Sequence, residues 1–242
     1  MRFFKSVGFA FSLLVALAAA PAHAGFDQCK QFFAGATTPA VGKAPGHLRE
    51  LCFDGFAVLH SGESRTPVFV VERLSRASLL DARDEKRTDR FYEEARLPRA
   101  ERATLDDYRG SGLDRGHLAA AANRATPESM AQSFSLANMV PQAPQNNRKA
   151  WASIEQATRK YVMRAKGDVF VYTGVAGLKA TIGKNEVWVP QVLYKLVYDS
   201  SNGKAWAHWL SNNDEARVGP PITYEELVRR TGIEFIPALK AN

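Results

Sequence analysis

The chain has 242 residues, with 32 Lys and Arg against 25 Asp and Glu and a formal net charge of +7. This length is enough for one sizeable domain with a buried core, and the lack of an internal repeat or a linker argues against a repeat array or several domains. The positive charge favours a polyanionic partner, although charge alone does not distinguish nucleic acid from an anionic surface.

The first residues predict an export signal. Residues 1–5 are a short basic start, residues 7–20 are an uncharged apolar run, and Ala22 and Ala24 are the small residues that a signal peptidase reads. The apolar run is too short to span a membrane. We therefore predict cleavage after Ala24, export to the periplasm or the extracellular medium, and a mature domain over residues 25–242 that is not attached to a membrane.

The two cysteines, Cys29 and Cys52, both lie near the predicted mature N-terminus. In an exported chain, two cysteines this close in sequence most simply form one disulfide, which would tie down the irregular segment 25–52. The alternative is a catalytic thiol, but that role needs a pairing base and a reducing compartment, and neither is evident.

Runs rich in β-branched and aromatic residues predict a sheet. The predicted strands cover residues 52–60, 66–73, 168–174, 187–198 and 204–210, with 133–140 as a further extended stretch. Ser61-Gly62 and Asn202-Gly203 are hairpin turn signals between neighbouring strands. Residues 75–102 are densely charged with mixed sign, which is typical of a solvated surface.

Three helices are predicted among these strands. Thr126 caps a short helix that begins with proline, and Thr223 with Glu226 forms the capping box of another. The strongest helix covers residues 147–164, which lack Gly and Pro and carry alanines and alternating charges. The mixture of elements predicts a single α+β domain.

A short window after Gly112 carries catalytic chemistry: Asp114-Arg115-Gly116-His117. Hydrolysis of a phosphodiester needs a base to activate water, a cation to hold the phosphate oxygens, and often an arginine for the developing charge. The imidazole and the guanidinium of this window supply two of those parts.

One face of the long predicted helix carries side chains spaced four residues apart: Asn147, Trp151, Glu155 and Arg159. The simplest interpretation is a surface salt bridge from Glu155 to Arg159, worth a few tenths of a kcal/mol. Considered together with His117, the face instead indicates a Mg²⁺ site, because this hard cation prefers oxygen ligands and keeps several waters. Asn146 competes with Asn147 as the ligand, and the helical spacing favours Asn147.

Linked motifs in this order resemble the DNA/RNA non-specific endonuclease family: Asp114-Arg115-Gly116-His117, Asn138-Met139-Val140-Pro141-Gln142, and Asn147-x3-Trp151-x3-Glu155-x3-Arg159. The resemblance covers roughly residues 68–235. It implies an α+β domain with a central antiparallel sheet and a ββα-metal (His-Me finger) nuclease core. The motifs together make it specific, whereas Asp-Arg-Gly-His alone would be a weak signal.

The resemblance also implies an activity, namely metal-dependent hydrolysis of DNA and RNA with little sequence specificity that leaves 5′-phosphate ends. His117 would be the general base, Asn147 the sole direct protein ligand of Mg²⁺, and Glu155 would act through bound water. Mn²⁺ or another divalent cation could replace Mg²⁺. Because His117 must be unprotonated, an ordinary pKa of about 6.5 would make activity fall below that pH.

Arginines complete the implied site. Arg159 would help neutralise the phosphate in the transition state, and Arg115 would line the site. The family also uses an arginine upstream of the histidine motif; Arg87 and Arg90 are both candidates, and Arg90 is preferred.

Other matching positions support the site rather than catalyse: Asp114, Asn138 and Gln142. The chain departs from the family after the histidine, where the family often shows an Ala-Pro-Ala-Ala-Asp run. Here the run ends in Asn123, which puts a structural hydrogen bond in doubt rather than the chemistry.

Rival functions have less support in the sequence. A zinc hydrolase would need clustered histidines, and the mature chain has only His47, His60, His117 and His208, with no pair at ligand spacing. A serine hydrolase would need a Gly-x-Ser-x-Gly elbow, which does not occur. An exported basic protein that binds nucleic acid without cutting it remains the non-enzyme alternative. The preference between DNA and RNA, or between single and double strands, and a homodimeric state are left open.

Overall fold

The computed structural model describes residues 25–240. The predicted export signal, residues 1–24, lies outside the described residues. The strands are β1 (Ala40–Val41), β2 (Leu48–Cys52), β3 (Ala57–Ser61), β4 (Thr66–Leu74), β5 (Asp114–His117), β6 (Met139–Gln142), β7 (Val169–Ile182), β8 (Val187–Asp199), β9 (Lys204–Ser211) and β10 (Ile233–Glu234). The α-helices are α1 (Arg76–Asp81), α2 (Leu105–Tyr108), α3 (Pro127–Ser133), α4 (Ala152–Val162) and α5 (Tyr224–Thr231). Over residues 25–240, no helix has the length and hydropathy needed to cross a membrane.

Short helical turns connect these elements. The 3₁₀ turns are Phe26–Gln28, Lys30–Phe32, Ala34–Ala36, Ala82–Asp84, Arg99–Glu101, Ala121–Asn123, Leu136–Asn138 and Pro237–Lys240. One turn of π-helix, Asn146–Trp151, runs directly into α4. The predicted helix over 147–164 is therefore present, but its first turn is wider than an α-helical turn.

A six-stranded antiparallel sheet in the order β2-β3-β4-β7-β8-β9 forms the centre of the fold. Successive side chains of a strand point to opposite faces. In β4, Phe69 and Val71 therefore pack on one face, together with α5 and the N-terminal turns, while Val70 packs on the other. We call this second face the site face, because Trp151 and Ile154 of the long helix cover it.

The sequence prediction of an α+β domain with a central antiparallel sheet is confirmed. The predicted strand over 52–60 is in fact the last residue of β2 and all of β3 except Ser61. A turn separates them, in which the Phe53 backbone N–H donates to the Phe56 carbonyl at 2.9 Å. The predicted β strands in the C-terminal half correspond to β7, β8 and β9, and β7 continues to Ile182 as part of a long hairpin.

The predicted disulfide between Cys29 and Cys52 is present. It fixes the N-terminal turns against β2. The rings of Phe26 and Phe33 are buried in the core on the sheet face opposite the site face. The Ala34 backbone N–H donates to the Tyr172 hydroxyl at 3.1 Å. Segment 25–36 is thus part of the core and not merely a tethered loop.

A small hairpin and the long helix lie against the site face. Strands β5 and β6 pair antiparallel, with Asp114 opposite Gln142 and His117 opposite Met139. In the chain, α3 and two 3₁₀ turns lie between β5 and β6, and β6 then leads into the π-helical turn and α4. This unit places the Asp114–His117 window next to the first turn of the helix.

Candidate active site

Side-chain hydrogen bonds to Asp114 connect the β5–β6 pair to the first turn of the helix. The Asn147 amide nitrogen donates to Asp114 Oδ2 at 2.9 Å, while Arg148 donates to both oxygens of the same carboxylate at 2.9 and 2.6 Å. Burial raises the pKa of Asp114, but these hydrogen bonds more than offset it and hold the pKa below its ordinary value. Asn147 Oδ1 accepts no hydrogen bond from any residue that the structure describes, so this oxygen is available to a ligand.

The neighbouring Asn146 has a different role. Its side chain is fully buried, its Oδ1 accepts from Gln142 Nε2 at 2.7 Å, and its Nδ2 donates to the Ser211 carbonyl at 2.6 Å. Both ends of this amide are occupied, so of the two asparagines only Asn147 offers an unbonded oxygen. Gln142 in turn lies against Gly116, where a Cβ atom would come within 2.8 Å of the Gln142 Cβ.

His117 is held between aromatic rings. The ring centroids of Phe134 and Phe91 lie 4.9 and 5.9 Å from the imidazole, and the guanidinium groups of Arg87 and Arg115 lie over these two phenylalanines, at 4.9 and 4.1 Å from the respective centroids. Nε2 is buried and has no hydrogen-bond partner among the described residues. Packing rather than a hydrogen bond therefore sets the orientation of this imidazole.

The surroundings of His117 favour its neutral form. Burial lowers the pKa of His117 to about 3, and the positive charge of Arg87 adds to this effect while Asp89 opposes it. The residue as a whole is half-buried, so its ring remains within reach of solvent at one side. A neutral imidazole can accept a proton throughout the neutral pH range.

Asn138 supports the segment that follows His117. Its side chain is fully buried, accepts from the Ala119 backbone N–H at 2.9 Å, and donates to the carbonyls of Ala119 and Ser133 at 3.0 and 2.9 Å. These bonds fix the turn after β5. Asn138 thus acts on the backbone that follows His117, whereas Gln142 bonds to the Asn146 side chain.

Glu155 has no hydrogen bond and no ion pair within residues 25–240. The surface salt bridge to Arg159 that the sequence offered as the simplest interpretation is therefore not formed. Burial raises the pKa of the Glu155 carboxyl, and the charges of Lys195 and Arg159 oppose the rise. Glu155 is a carboxylate without a bonded partner, held near two cations.

Lys195 is a buried cation that the sequence interpretation missed. Only 2% of the residue is exposed; its Nζ donates to Thr173 Oγ1 at 2.6 Å and lies 5.1 Å from the centre of the Trp151 ring. Burial lowers its pKa, and the charge of Glu155 opposes the fall. Its position in β8 could have been inferred from alternation, since Leu193 and Lys195 share the site face.

A second buried group on the same face joins Glu72 to Arg124. These two side chains form an ion pair with almost no exposure, and Arg124 also donates to the Gly55 carbonyl at 2.6 Å. Asn123 Nδ2 lies 3.1 Å from both oxygens of Glu72. This contact explains why asparagine suits position 123: an aspartate there would place a second buried negative charge against Glu72.

A cavity of about 620 Å³ opens beside the hairpin, and we call it the Asn147 cavity. It is lined by Arg87, Asp89, Phe91, Leu105, Tyr108, Arg109, Leu113, Asp114, Arg115, Asn147 and Arg148. Of the two upstream arginines, the structure brings Arg87 into this lining. Arg90 is exposed and is not among these lining residues, so the lining of this cavity favours Arg87, while the sequence preference for Arg90 stays a prediction. Arg159 is not among these lining residues and lines a separate concavity instead.

The available donor atoms fit a hard divalent cation. The chain that the structure describes has no group of three or more His, Cys, Asp or Glu side chains that could hold a metal ion. It offers instead the unbonded amide oxygen of Asn147 and the unbonded carboxylate of Glu155. Asn147 lies one helical turn before Trp151, and Glu155 lies one turn after it. Mg²⁺ is typically bound by one or two such oxygens and several waters.

Comparison with known proteins gives a consistent result. A family model described as DNA/RNA non-specific endonuclease matches residues 35–242. Mitochondrial endonuclease G of Bos taurus is 33% identical over 86% of this chain and 81% of its own length, and that of Homo sapiens is 35% identical over 81% and 75%. A nuclease from Nostoc sp. is 34% identical over 77% and 73%.

A solved structure of similar fold is a crystal structure of the EndoG/EndoGI complex that concerns the mechanism of EndoG inhibition. The two chains superpose with a TM-score of 0.68 and 26% sequence identity, over 79% of this chain and 87% of the other.

The Asn123 contact yields a prediction about stability. We expect Asn123→Asp to lower the free energy of unfolding at pH 7 by about 2 to 4 kcal/mol, because it adds an uncompensated buried charge. The new carboxyl has a raised pKa in the folded state, so the loss is largest above that pKa and shrinks as the pH falls towards 4 and the carboxyl takes up a proton. Urea unfolding between pH 4.5 and 7.5 measures both effects.

The matched control is Asn123→Ala, which removes the same hydrogen bonds without adding charge. Its loss of stability relative to the parent protein should stay nearly constant over this pH range. A loss for Asn123→Asp that is equally independent of pH would show that Asn123 is not selected by the charge of Glu72.

Proposed function

The chain belongs to the DNA/RNA non-specific endonuclease family, and from this premise we propose that it is an exported, Mg²⁺-dependent endonuclease that hydrolyses DNA and RNA with little sequence specificity. The products carry 5′-phosphate ends. The observation that carries the assignment is the contact between Asn147 and Asp114, which leaves an unbonded amide oxygen beside the strand that holds a neutral His117.

His117 is the general base in this proposal. Its neutral imidazole accepts a proton from the water that attacks phosphorus, and the rings of Phe91 and Phe134 keep it oriented while it does so. Its buried Nε2 has no hydrogen-bond partner among the described residues, so no bonded side chain competes for the proton that the ring accepts.

Two arginines stabilise the phosphate charge. Arg87 and Arg115 line the Asn147 cavity, and both sit over the aromatic rings that contact His117. We assign to Arg87 the upstream phosphate contact that the sequence favoured for Arg90. Guanidinium groups suit this role because they stay charged and present several donors to phosphate oxygens.

The divalent ion would be held by Asn147 directly and by Glu155 through water. When bound, it supplies positive charge that stabilises the phosphate oxygens and the departing 3′-oxygen. Asp114 orients the Asn147 amide so that its oxygen faces outward, and Lys195 keeps positive charge beneath Glu155. Mg²⁺ is the ion proposed, with Mn²⁺ as an effective substitute.

Export is supported by two observations. The apolar run and small residues within positions 1–24 have the pattern of a cleaved signal, and the disulfide between Cys29 and Cys52 is of a kind that persists in oxidising compartments. Periplasm and extracellular medium both satisfy these conditions.

Degradation assays test the proposed activity. Protein lacking residues 1–24 is incubated with plasmid DNA and with RNA, with Mg²⁺ and then with a chelator. We expect degradation of both substrates that stops on metal removal, and a loss of at least about 100-fold in His117→Asn, because a positioned general base contributes that much or more.

His47→Asn is the matched control, since His47 is an exposed histidine whose positive φ of 58° asparagine tolerates. It should retain full activity. Binding of nucleic acid without cleavage by the parent protein would instead support the non-enzyme alternative.

The orientation of Asn147 gives a second prediction. We expect Asp114→Asn to raise the Mg²⁺ concentration for half-maximal activity about tenfold, because a group that orients a metal ligand typically carries this much metal affinity. Mn²⁺ binding followed by electron paramagnetic resonance should weaken in parallel. Arg148→Gln leaves the bond between Asn147 and Asp114 in place and should change neither value more than about twofold; equal effects of both variants would contradict an orienting role for Asp114.

The burial of His117 gives a prediction about pH. The ordinary histidine pKa places an acid limit on activity near pH 6.5, but the pKa of about 3 means that His117 stays neutral down to about pH 4 to 5. In ¹⁵N NMR spectra its ring nitrogens should keep their neutral shifts at pH 5, and Arg87→Gln should raise the pKa because a nearby positive charge is removed. A ring that titrates near 6.5 would show that it is more hydrated than the structure indicates.

A further inference from the structure

A second concavity, of about 480 Å³, lies along the helix beyond Glu155, and we call it the basic concavity. It is lined by Leu79, Arg83, Ala122, Gln156, Arg159, Lys160, Met163 and Arg164. Its rim thus carries three arginines and one lysine, while Leu79 and Met163 give it an apolar base. The family resemblance implies a phosphate role for Arg159 of this set, and the mechanism proposed above uses none of the lining residues.

The positive charge of this concavity is not neutralised by ion pairs within the described residues. None of its lining residues is acidic, and none of its four cations forms an ion pair within residues 25–240. The Asn147 cavity differs, because there Asp89 pairs with Arg87 and Asp114 pairs with Arg148. Like charges gathered in one depression repel one another, and a bound anion relieves that repulsion.

Arg159 connects the basic concavity to the catalytic centre. It lies one turn after Glu155 on the same face of α4, close enough for its charge to act on that carboxyl. Its Nη1 is buried and has no hydrogen-bond partner among the described residues. A guanidinium with an unused donor, one helical turn from Glu155 and in the lining of the basic concavity, suits a ligand that extends from the catalytic centre into this concavity.

The spacing matches a polymer of phosphates. Lys160 lies five residues after Glu155, about 7.5 Å along the helix axis. One strand of duplex DNA advances about 3.4 Å per nucleotide along its axis, so the next one or two phosphates beyond a scissile phosphate near Glu155 reach Lys160 and its neighbours.

We propose that the basic concavity binds a backbone phosphate of the substrate one or two nucleotides from the scissile bond. This inference rests on the proposed nuclease function. It makes the enzyme selective for substrate length, because an oligonucleotide too short to place a phosphate in the concavity loses those contacts. Since the contacts form equally in the ground and transition states, their loss raises KM and leaves kcat nearly unchanged.

The test removes two positive charges of the concavity, those of Arg83 and Arg164, neither of which has a role in the proposed mechanism. The double variant Arg83→Gln/Arg164→Gln is compared with Lys43→Gln/Arg229→Gln. This control removes the same charge from the loop after β1 and from α5, which packs on the sheet face opposite the site face. Thermal unfolding of both variants confirms that they are folded. Rates are measured with oligonucleotides from two to twelve nucleotides over a range of salt concentrations.

We expect the Arg83→Gln/Arg164→Gln variant to lose about tenfold in kcat/KM on the longest oligonucleotides, through KM, and to match the parent on the shortest. The slope of log kcat/KM against log salt should fall by about 1, because fewer phosphate counterions are released. The control variant should follow the parent at every length. Equal losses at all lengths, or equal losses in both variants, would overturn the proposal.

Binding measurements separate this proposal from the nuclease assignment. Fluorescence anisotropy of labelled twelve-nucleotide DNA and RNA, with the His117→Asn variant as parent and a chelator present, needs no catalysis. Weaker binding only when Arg83 and Arg164 are replaced supports the phosphate site even if no cleavage is found. Loss of binding to phosphatidylglycerol vesicles with unchanged oligonucleotide affinity would assign the basic concavity to a membrane surface and refute its role in substrate binding.

Discussion

The hydrogen bond from Asn147 to Asp114 is the interaction on which the candidate site depends. It joins a side chain of the helix to the strand that bears His117, although α3 and β6 lie between these two elements in the chain. Neighbouring contacts leave little freedom for this arrangement: Gln142 and Asn146 bond to each other below it, and Gly116 lets the Gln142 side chain cross the hairpin closely. The site is therefore rigid where it would hold a metal ligand and a base.

The sheet beneath the helix is not a purely apolar surface. Glu72, Thr173 and Lys195 project from adjacent central strands towards the helix, and Arg124 reaches in to neutralise the first of them. Burying such charges is expensive unless they are paired or hydrogen-bonded, and replacing them by well-packed apolar residues is often neutral or stabilising for a fold. Their presence directly under Glu155 indicates that this layer shapes the electrostatic environment of the site.

Local patterns in the sequence were sufficient for much of this fold. Uninterrupted helical composition located α4, alternating apolar residues located β7 to β9, and cysteine number indicated the disulfide. Each of these depends on neighbours along the chain or on a simple count. Residues 82–102 have no period to follow, so only the folded chain could show that Arg87, and not Arg90, reaches the cavity.

The protonation of His117 was beyond sequence reasoning for a related reason. The rings of Phe91 and Phe134 come from distant segments, and only their packing removes water from the imidazole. Lys195 was accessible in principle, because its strand alternates regularly, yet a lysine in a central strand is easily assigned to solvent. The free oxygen of Asn147 was anticipated by helical spacing, but its orientation by Asp114 was not.

The π-helical turn before α4 makes the site sensitive to the deletion of a single residue in this turn, which amino-acid composition does not reveal. The Ala152 backbone N–H donates to the carbonyl of Asn147, five residues back, so this turn contains one residue more than an α-helix would use. The added residue lets two successive asparagines face different surroundings, one inward to Ser211 and one across to Asp114. Deleting a single residue here would restore ordinary helical geometry and misalign the metal ligand, although every side chain of the motif would still be encoded.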